Sequence, residues 1–192
     1  HERSARWCEW RPAAEGQSVT ASTDGRVRLW DSSAKMIAEI GAHSQPVNCV
    51  AVSAGAVATA SDDASVRVWD ASLAKELACK KVEGSETLIT ASLSRDGRKL
   101  LTATNECEVI IWDVADDDER TISQAGRLSG AHAQLINAAE FDNSGRYIVT
   151  GSNDSTIKVW HSATLAQAAG LTAHNGAVNA IAFSPDGRRM VS

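Results

Sequence analysis

Val66-Arg67-Val68-Trp69-Asp70 is the stretch on which the fold turns. Two β-branched residues alternate with an arginine and a tryptophan, the pattern of a short strand with two unlike faces. The same cadence returns as Val27-Arg28-Leu29-Trp30-Asp31, Val109-Ile110-Ile111-Trp112-Asp113 and Ile157-Lys158-Val159-Trp160-His161. Four of the six tryptophans therefore close a strand-like run, at spacings of 39, 43 and 48 residues. Self-similarity at a period of this size is the signature of a repeat architecture.

Two more landmarks keep register with the tryptophans. His1, His43 and His132 stand 29, 26 and 28 residues before Trp30, Trp69 and Trp160, and His174 opens a further unit. Gly84 holds the matching place before Trp112. Ten residues after this position begin Ser94-Arg95-Asp96-Gly97, Asp142-Asn143-Ser144-Gly145 and Ser184-Pro185-Asp186-Gly187. Their Asn, Asp, Gly and Pro content marks tight hairpins. The chain thus divides into repeats 1–42, 43–83, 84–131 and 132–173 and a partial repeat 174–192. Strands are expected at about 136–141, 146–152, 155–160 and 165–170 in the fourth repeat, and no segment carries a long helical period.

These landmarks resemble the WD-repeat family, and the resemblance runs over essentially the whole chain. It implies an all-β fold, a β-propeller of four-stranded antiparallel blades. About four and a half blades would lie in this chain, as part of a seven-bladed propeller. It also implies a buried hydrogen-bonded tetrad in each repeat. The sets are His1, Ser22, Asp24 and Trp30; His43, Ser61, Asp63 and Trp69; and His132, Ser152, Asp154 and Trp160. The serine would accept the indole N–H and donate to one histidine nitrogen, while the other nitrogen donates to the aspartate. The third repeat has Gly84, Thr104 and Glu106 instead, so its tether is expected to be incomplete and its loop at 83–85 looser.

A serine, a histidine and an aspartate invite a nucleophilic triad. The serine falls inside a strand and the set recurs, which is what architecture requires and a single active site does not. No glycine-rich phosphate loop, metal-ligand spacing or paired acid and base is present, so no catalytic residue, metal or cofactor is expected. Cys8, Cys49, Cys79 and Cys107 are scattered and read as small apolar residues in a reducing, cytoplasmic compartment, the nucleus being the other candidate. A net charge of −5 disfavours a general nucleic-acid footprint. No apolar run is long enough to span a membrane. The chain opens on His1 and stops at Val191-Ser192 in mid-pattern, as if cut from something longer. Unpaired blade edges would then make the isolated 192 residues associate.

The resemblance implies where partners dock: the face of the histidine loops, around the channel mouth. Two positions per repeat line it. Five residues after the histidine stand Arg6, Asn48, Ile89, Asn137 and Asn179; seven before the tryptophan stand Thr23, Asp62, Asn105 and Asn153. Amides there can capture a peptide backbone. Arg28, Arg67 and Lys158, two before each tryptophan, are expected to cover the indole. The acidic run Asp116-Asp117-Asp118-Glu119 reads as a solvated loop. The function expected is a non-catalytic scaffold for other proteins in a large complex. The alternative is a ribonucleoprotein or translation subunit in which Arg26, Arg28, Arg67 or Arg188-Arg189 faces RNA.

Overall fold

A computed structural model describes residues 5–10, 16–53, 55–115, 121–172 and 174–192, the first of these segments by its backbone alone. Among them every regular element is a strand. The first sheet runs β1 (Ala5–Trp10), β2 (Ser18–Ser22), β3 (Arg26–Trp30) and β4 (Met36–Gly41). The second is β5 (Val47–Val52), β6 (Ala56–Ser61), β7 (Ser65–Asp70) and β8 (Glu76–Lys81). The third is β9 (Leu88–Leu93), β10 (Lys99–Thr104), β11 (Val109–Val114) and β12 (Ile122–Leu128). The fourth is β13 (Ile136–Phe141), β14 (Tyr147–Ser152), β15 (Ile157–His161) and β16 (Gln167–Leu171). A two-stranded sheet of β17 (Ala182–Phe183) and β18 (Met190–Val191) follows. Each sheet is an antiparallel meander in chain order, the form of a propeller blade.

The core lies between sheets. Val19, Val27 and Leu29 of the first sheet pack on Val47, Val57 and Trp69 of the second. Val66 and Val68, on the other face of β7, meet Leu88, Leu100 and Trp112 of the third. Leu101 and Ile111 meet Phe141, Ile148 and Trp160 of the fourth, and Ile157 meets Val178 and Ile181 beyond it. Alternation along each tryptophan-bearing strand thus sends the valines one way and the tryptophan the other. The inner strands β1, β5, β9 and β13 lie side by side, whereas the outer strands β8 and β12 barely touch. The sheets therefore fan out from a common axis.

The turns follow from their residues. At Gly97, Gly145 and Gly187 φ is 70°, 69° and 68°, and each amide closes the hairpin on Ser94, Asp142 or Ser184. The turn between the second and third strands of a sheet also needs a left-handed residue. Gly25 fills it at φ 78°, and Ala64, Cys107 and Ser155 at 60°, 59° and 69°.

Each inner strand carries a bulge at one fixed place. Val47 pairs with Ser61 and Cys49 with Ala60, so Asn48 is the extra residue. The same count leaves Arg6, Ile89 and Asn137 unpaired in β1, β9 and β13. A bulge turns its side chain away from the normal alternation.

Candidate site on the histidine-loop face

The histidine loops enter the inner strands, and the turns after β2, β6, β10 and β14 rise beside them on one face. In the second sheet His43 is held between two strand residues and one turn. Its Nδ1–H donates to Asp63 at 3.0 Å, and its Nε2 accepts from Thr59 Oγ1 at 2.7 Å. Thr59 in turn accepts the Trp69 indole N–H at 3.1 Å. His132 repeats the arrangement with Asp154 at 3.0 Å and Thr150 at 2.7 Å, and Trp160 donates to Thr150 at 3.0 Å. Both imidazole side chains are wholly buried. Burial pushes their pKa down against the pull of the aspartate, so the neutral ring with Nδ1–H is the resident form. Hydrogen bonds from Thr156, Ala133 and His132 hold the Asp154 carboxyl far below its ordinary range despite desolvation.

Threonine, and not the expected serine, links indole to imidazole. Ser61 donates to the Pro46 carbonyl at 2.8 Å, and Ser152 to that of Gln134 at 3.0 Å; each accepts the amide of its aspartate at 3.1 Å. Register explains the correction. Val57 is directly opposite Trp69, and Thr59 is its diagonal neighbour on the same face. Ser61 sits two residues further along β6, roughly 7 Å away. The chemical signal was present: Thr20, Thr59, Thr102 and Thr150 each stand ten residues before a tryptophan. In the first sheet Trp30 donates to Thr20 at 2.8 Å, and Ser22 accepts from the Asp24 amide. Asp24 pairs with Arg28 at 2.9 Å, while His1 lies outside the described residues.

The third sheet keeps Trp112 on Thr102 at 2.9 Å although it has no histidine. Thr104 accepts the amide of Glu106, and Ser85 donates to Asn105 at 3.0 Å. That bond ties the loop near Gly84 to its turn without an imidazole.

The two ring positions meet in pairs. Asn48 donates to Asp62 at 2.6 Å and to the Leu88 carbonyl of the next sheet at 2.9 Å. Asn137 donates to Asn153 at 2.7 Å, to the Val178 carbonyl at 3.1 Å and to Asn179 at 3.3 Å. The amide donors of Asn48 and Asn137 are thus engaged in stitching one sheet to the next. Asn179 is exposed, Ile89, Thr23 and Asn105 are half-buried, and of Arg6 only its place in β1 is described. Leu135, 37% exposed, and Gln134 stand on the same face.

Of the three cations beside tryptophans, Lys158 sets its ammonium over the indole, 5.9 Å from the ring centre, and donates to the Ala131 carbonyl. Arg28 pairs with Asp24 and Glu39, Arg67 with Glu76 and Arg26 with Glu39. The run Asp116–Glu119 lies outside the described residues. Among the described residues no helix is long and apolar enough to cross a membrane.

Comparison with known proteins agrees with this geometry. The family model for the WD domain, G-beta repeat, matches residues 34–70, 123–161 and 166–192, more than half of the chain. A WD repeat-containing protein 26 homolog of Arabidopsis thaliana is 24% identical over 96% of the chain and 31% of its own length. A protein LST8 homolog of Drosophila melanogaster is 29% identical over 73% of the chain and 46% of its own length. A guanine nucleotide-binding protein subunit beta of Arabidopsis thaliana is 28% identical over 47% of the chain and 24% of its own length. The chain therefore spans less than half the length of each of these relatives.

Proposed function

Because this chain belongs to the WD-repeat family, we propose that it is a non-catalytic scaffold whose histidine-loop face docks other proteins within a larger assembly. The observation that carries the reading is the recurrent bulge. At Arg6, Asn48, Ile89 and Asn137 each inner strand gives up one ladder pair at the same point. Bulges re-aim side chains, and repeating one around an axis brings those of Asn48, Ile89 and Asn137 toward one mouth. The exposed Leu135, and the exposed Asn179 whose carbonyl oxygen accepts from Asn137, supply contact groups on that face beyond Asn48 and Asn137. The relative named a subunit of a guanine nucleotide-binding protein is, by its name, part of an assembly.

A catalytic reading has little to stand on. Thr59 and Thr150, which touch the imidazoles, are fully buried, and Ser61 and Ser152 are bonded to backbone carbonyls. RNA contact through Arg26, Arg28 and Arg67 is disfavoured by their carboxylate partners, which leaves the exposed Arg188 and Arg189 as the cations on which that alternative rests.

The test is affinity capture from native extract on the full-length protein, with bound proteins identified by mass spectrometry. The double variant Leu135→Asp, Asn179→Lys should lose the partners that wild type retains while its thermal unfolding stays unchanged. Equal capture by the two proteins would remove the docking surface from this face.

A further inference from the structure

The inner strands have a second end. There, on the face opposite the histidine loops, the turns at 94–97, 142–145 and 184–187 enclose two adjoining cavities. One, of about 330 Å³, is walled by Leu93, Phe141 and Pro185, with Arg95, Asp142 and Asn143 on its rim. The other, of about 360 Å³, shares Arg95 and Asn143 and continues to Lys99. Together they make a groove that is apolar at one end and polar at the other, where Arg95, Asp96 and Lys99 stand.

Most polar groups on its rim are already engaged. Asp96 accepts the Ser94 hydroxyl at 2.6 Å and the Arg98 amide at 3.1 Å. Asp142 accepts the Tyr147 amide at 2.8 Å and that of Ser144 at 3.3 Å. The Asn143 amide nitrogen donates to the carbonyls of Ser184 and Pro185, both at 3.0 Å, which fixes two turns against each other. Lys99 reaches Asp113 at 3.0 Å across exposed surface. Arg95 is the exception: it is exposed, and among the described residues it meets no carboxylate. A guanidinium standing beside an apolar cleft can take a carboxylate in a bidentate pair.

We propose that this groove docks an acidic linear segment of a partner protein. An aliphatic or aromatic side chain enters between Leu93, Phe141 and Pro185, and a neighbouring aspartate or glutamate pairs with Arg95. Charge and the apolar wall together decide the class of partner. Arg98, Arg146, Arg188 and Arg189 flank the same turns as Asp96, Asp142 and Asp186, so cations outnumber carboxylates and an acidic partner is favoured, while the apolar wall of Leu93, Phe141 and Pro185 suits a side chain and offers nothing to a phosphate backbone. A side-chain carboxylate next to an apolar group matches both. This surface is separate from the histidine-loop face, and one chain could then hold two partners at once.

The test is fluorescence polarisation on the full-length protein. The probes are fluorescein-labelled octapeptides in which leucine or phenylalanine is flanked by aspartate and glutamate. Controls replace the acids with asparagine and glutamine, or the apolar residues with alanine. The acidic, apolar peptides should bind saturably and both controls at least about tenfold more weakly. Arg95→Glu and Arg95→Gln should each weaken binding about tenfold or more with unfolding unchanged, whereas Asn179→Lys should not alter it. Unchanged affinity in the Arg95 variants, equal binding of the amide control, or no peptide binding would overturn the proposal. So would a fluorescein-labelled oligouridylate that binds saturably in place of the peptides and is lost on Arg95→Glu.

Discussion

The buried threonines are single atoms on which two partners depend. Thr150 Oγ1 accepts from the Trp160 indole and donates to His132. Thr150→Val keeps the shape of the side chain and strands both groups. The cost expected is about 2–4 kcal/mol, one desolvated group on each side. Ser152→Ala frees only the Gln134 carbonyl and the Asp154 amide at the edge of the site, and about 1 kcal/mol is expected. Urea unfolding of the two variants checks the order; a larger loss for Ser152→Ala would return the serine to the centre of the network. Asp154→Ala is cushioned, because Thr156 Oγ1 also lies 3.1 Å from His132 Nδ1.

Titration at these same residues gives stability two opposite slopes. The depressed histidines and aspartates bind protons more readily when unfolded, so their contribution is complete above pH 6.5 and falls away on acidification. Glu140 behaves in reverse. It shares a face of β13 with Ala138, which looks onto Val178 and Ile181, and burial pushes its pKa up to about 7. The folded state keeps that proton between about pH 4.5 and 7, so its contribution is present at low pH and lost as pH rises through 7. Glu140→Gln removes this loss. It should raise stability by about 2 kcal/mol at pH 8 and leave it unchanged at pH 4. Equal unfolding midpoints at pH 8 would show that the carboxylate is solvated.

At the scale of elements, strands and turns were readable because their causes are local. The fourth repeat's strands, expected at about 136–141, 146–152, 155–160 and 165–170, are found at 136–141, 147–152, 157–161 and 167–171. Alternation and Gly, Asn or Asp turns specify them within a few residues. The threonine link was missed because it depends on register between two strands. Register converts a separation of ten residues into a diagonal contact, and no single stretch displays it. The bulges were missed for the same reason: the extra residue is defined only by its partner strand. Among the turns, Gly25 carries two constraints together. Its φ is 78°, and a Cβ there would come within 2.6 Å of the His43 carbonyl oxygen. Gly25→Ala is therefore expected to cost more than about 2 kcal/mol, left-handed strain plus a backbone shift in the neighbouring loop. Ala64 holds the matching turn position with φ 60° and tolerates a Cβ, so Ala64→Gly should be neutral or slightly stabilising. Thermal unfolding of both variants checks this contrast.

For the molecule as a whole, stability is a matter of seams. Each sheet packs only on its neighbours, so the total is a sum of sheet and interface terms. The amides first read as a ligand ring belong to those interfaces: Asn48 bridges the second sheet to the Leu88 carbonyl of the third, and Asn137 the fourth to Val178. Asn137→Ala is thus expected to lower stability and not merely binding, by about 1–3 kcal/mol, since the Val178 carbonyl and Asn153 lose a donor. The two seams are separated by the third sheet and share no side chain. Asn48→Ala and Asn137→Ala should therefore add to within about 0.5 kcal/mol in the full-length protein. Asn137→Ala and Asn153→Ala act on one hydrogen bond, 2.7 Å long, and the double variant should cost clearly less than the two singles together. A double-mutant cycle by chemical unfolding separates these cases. Strong coupling between Asn48 and Asn137 would mean that the third sheet transmits strain from one seam to the next, and the nearest-neighbour description would fail.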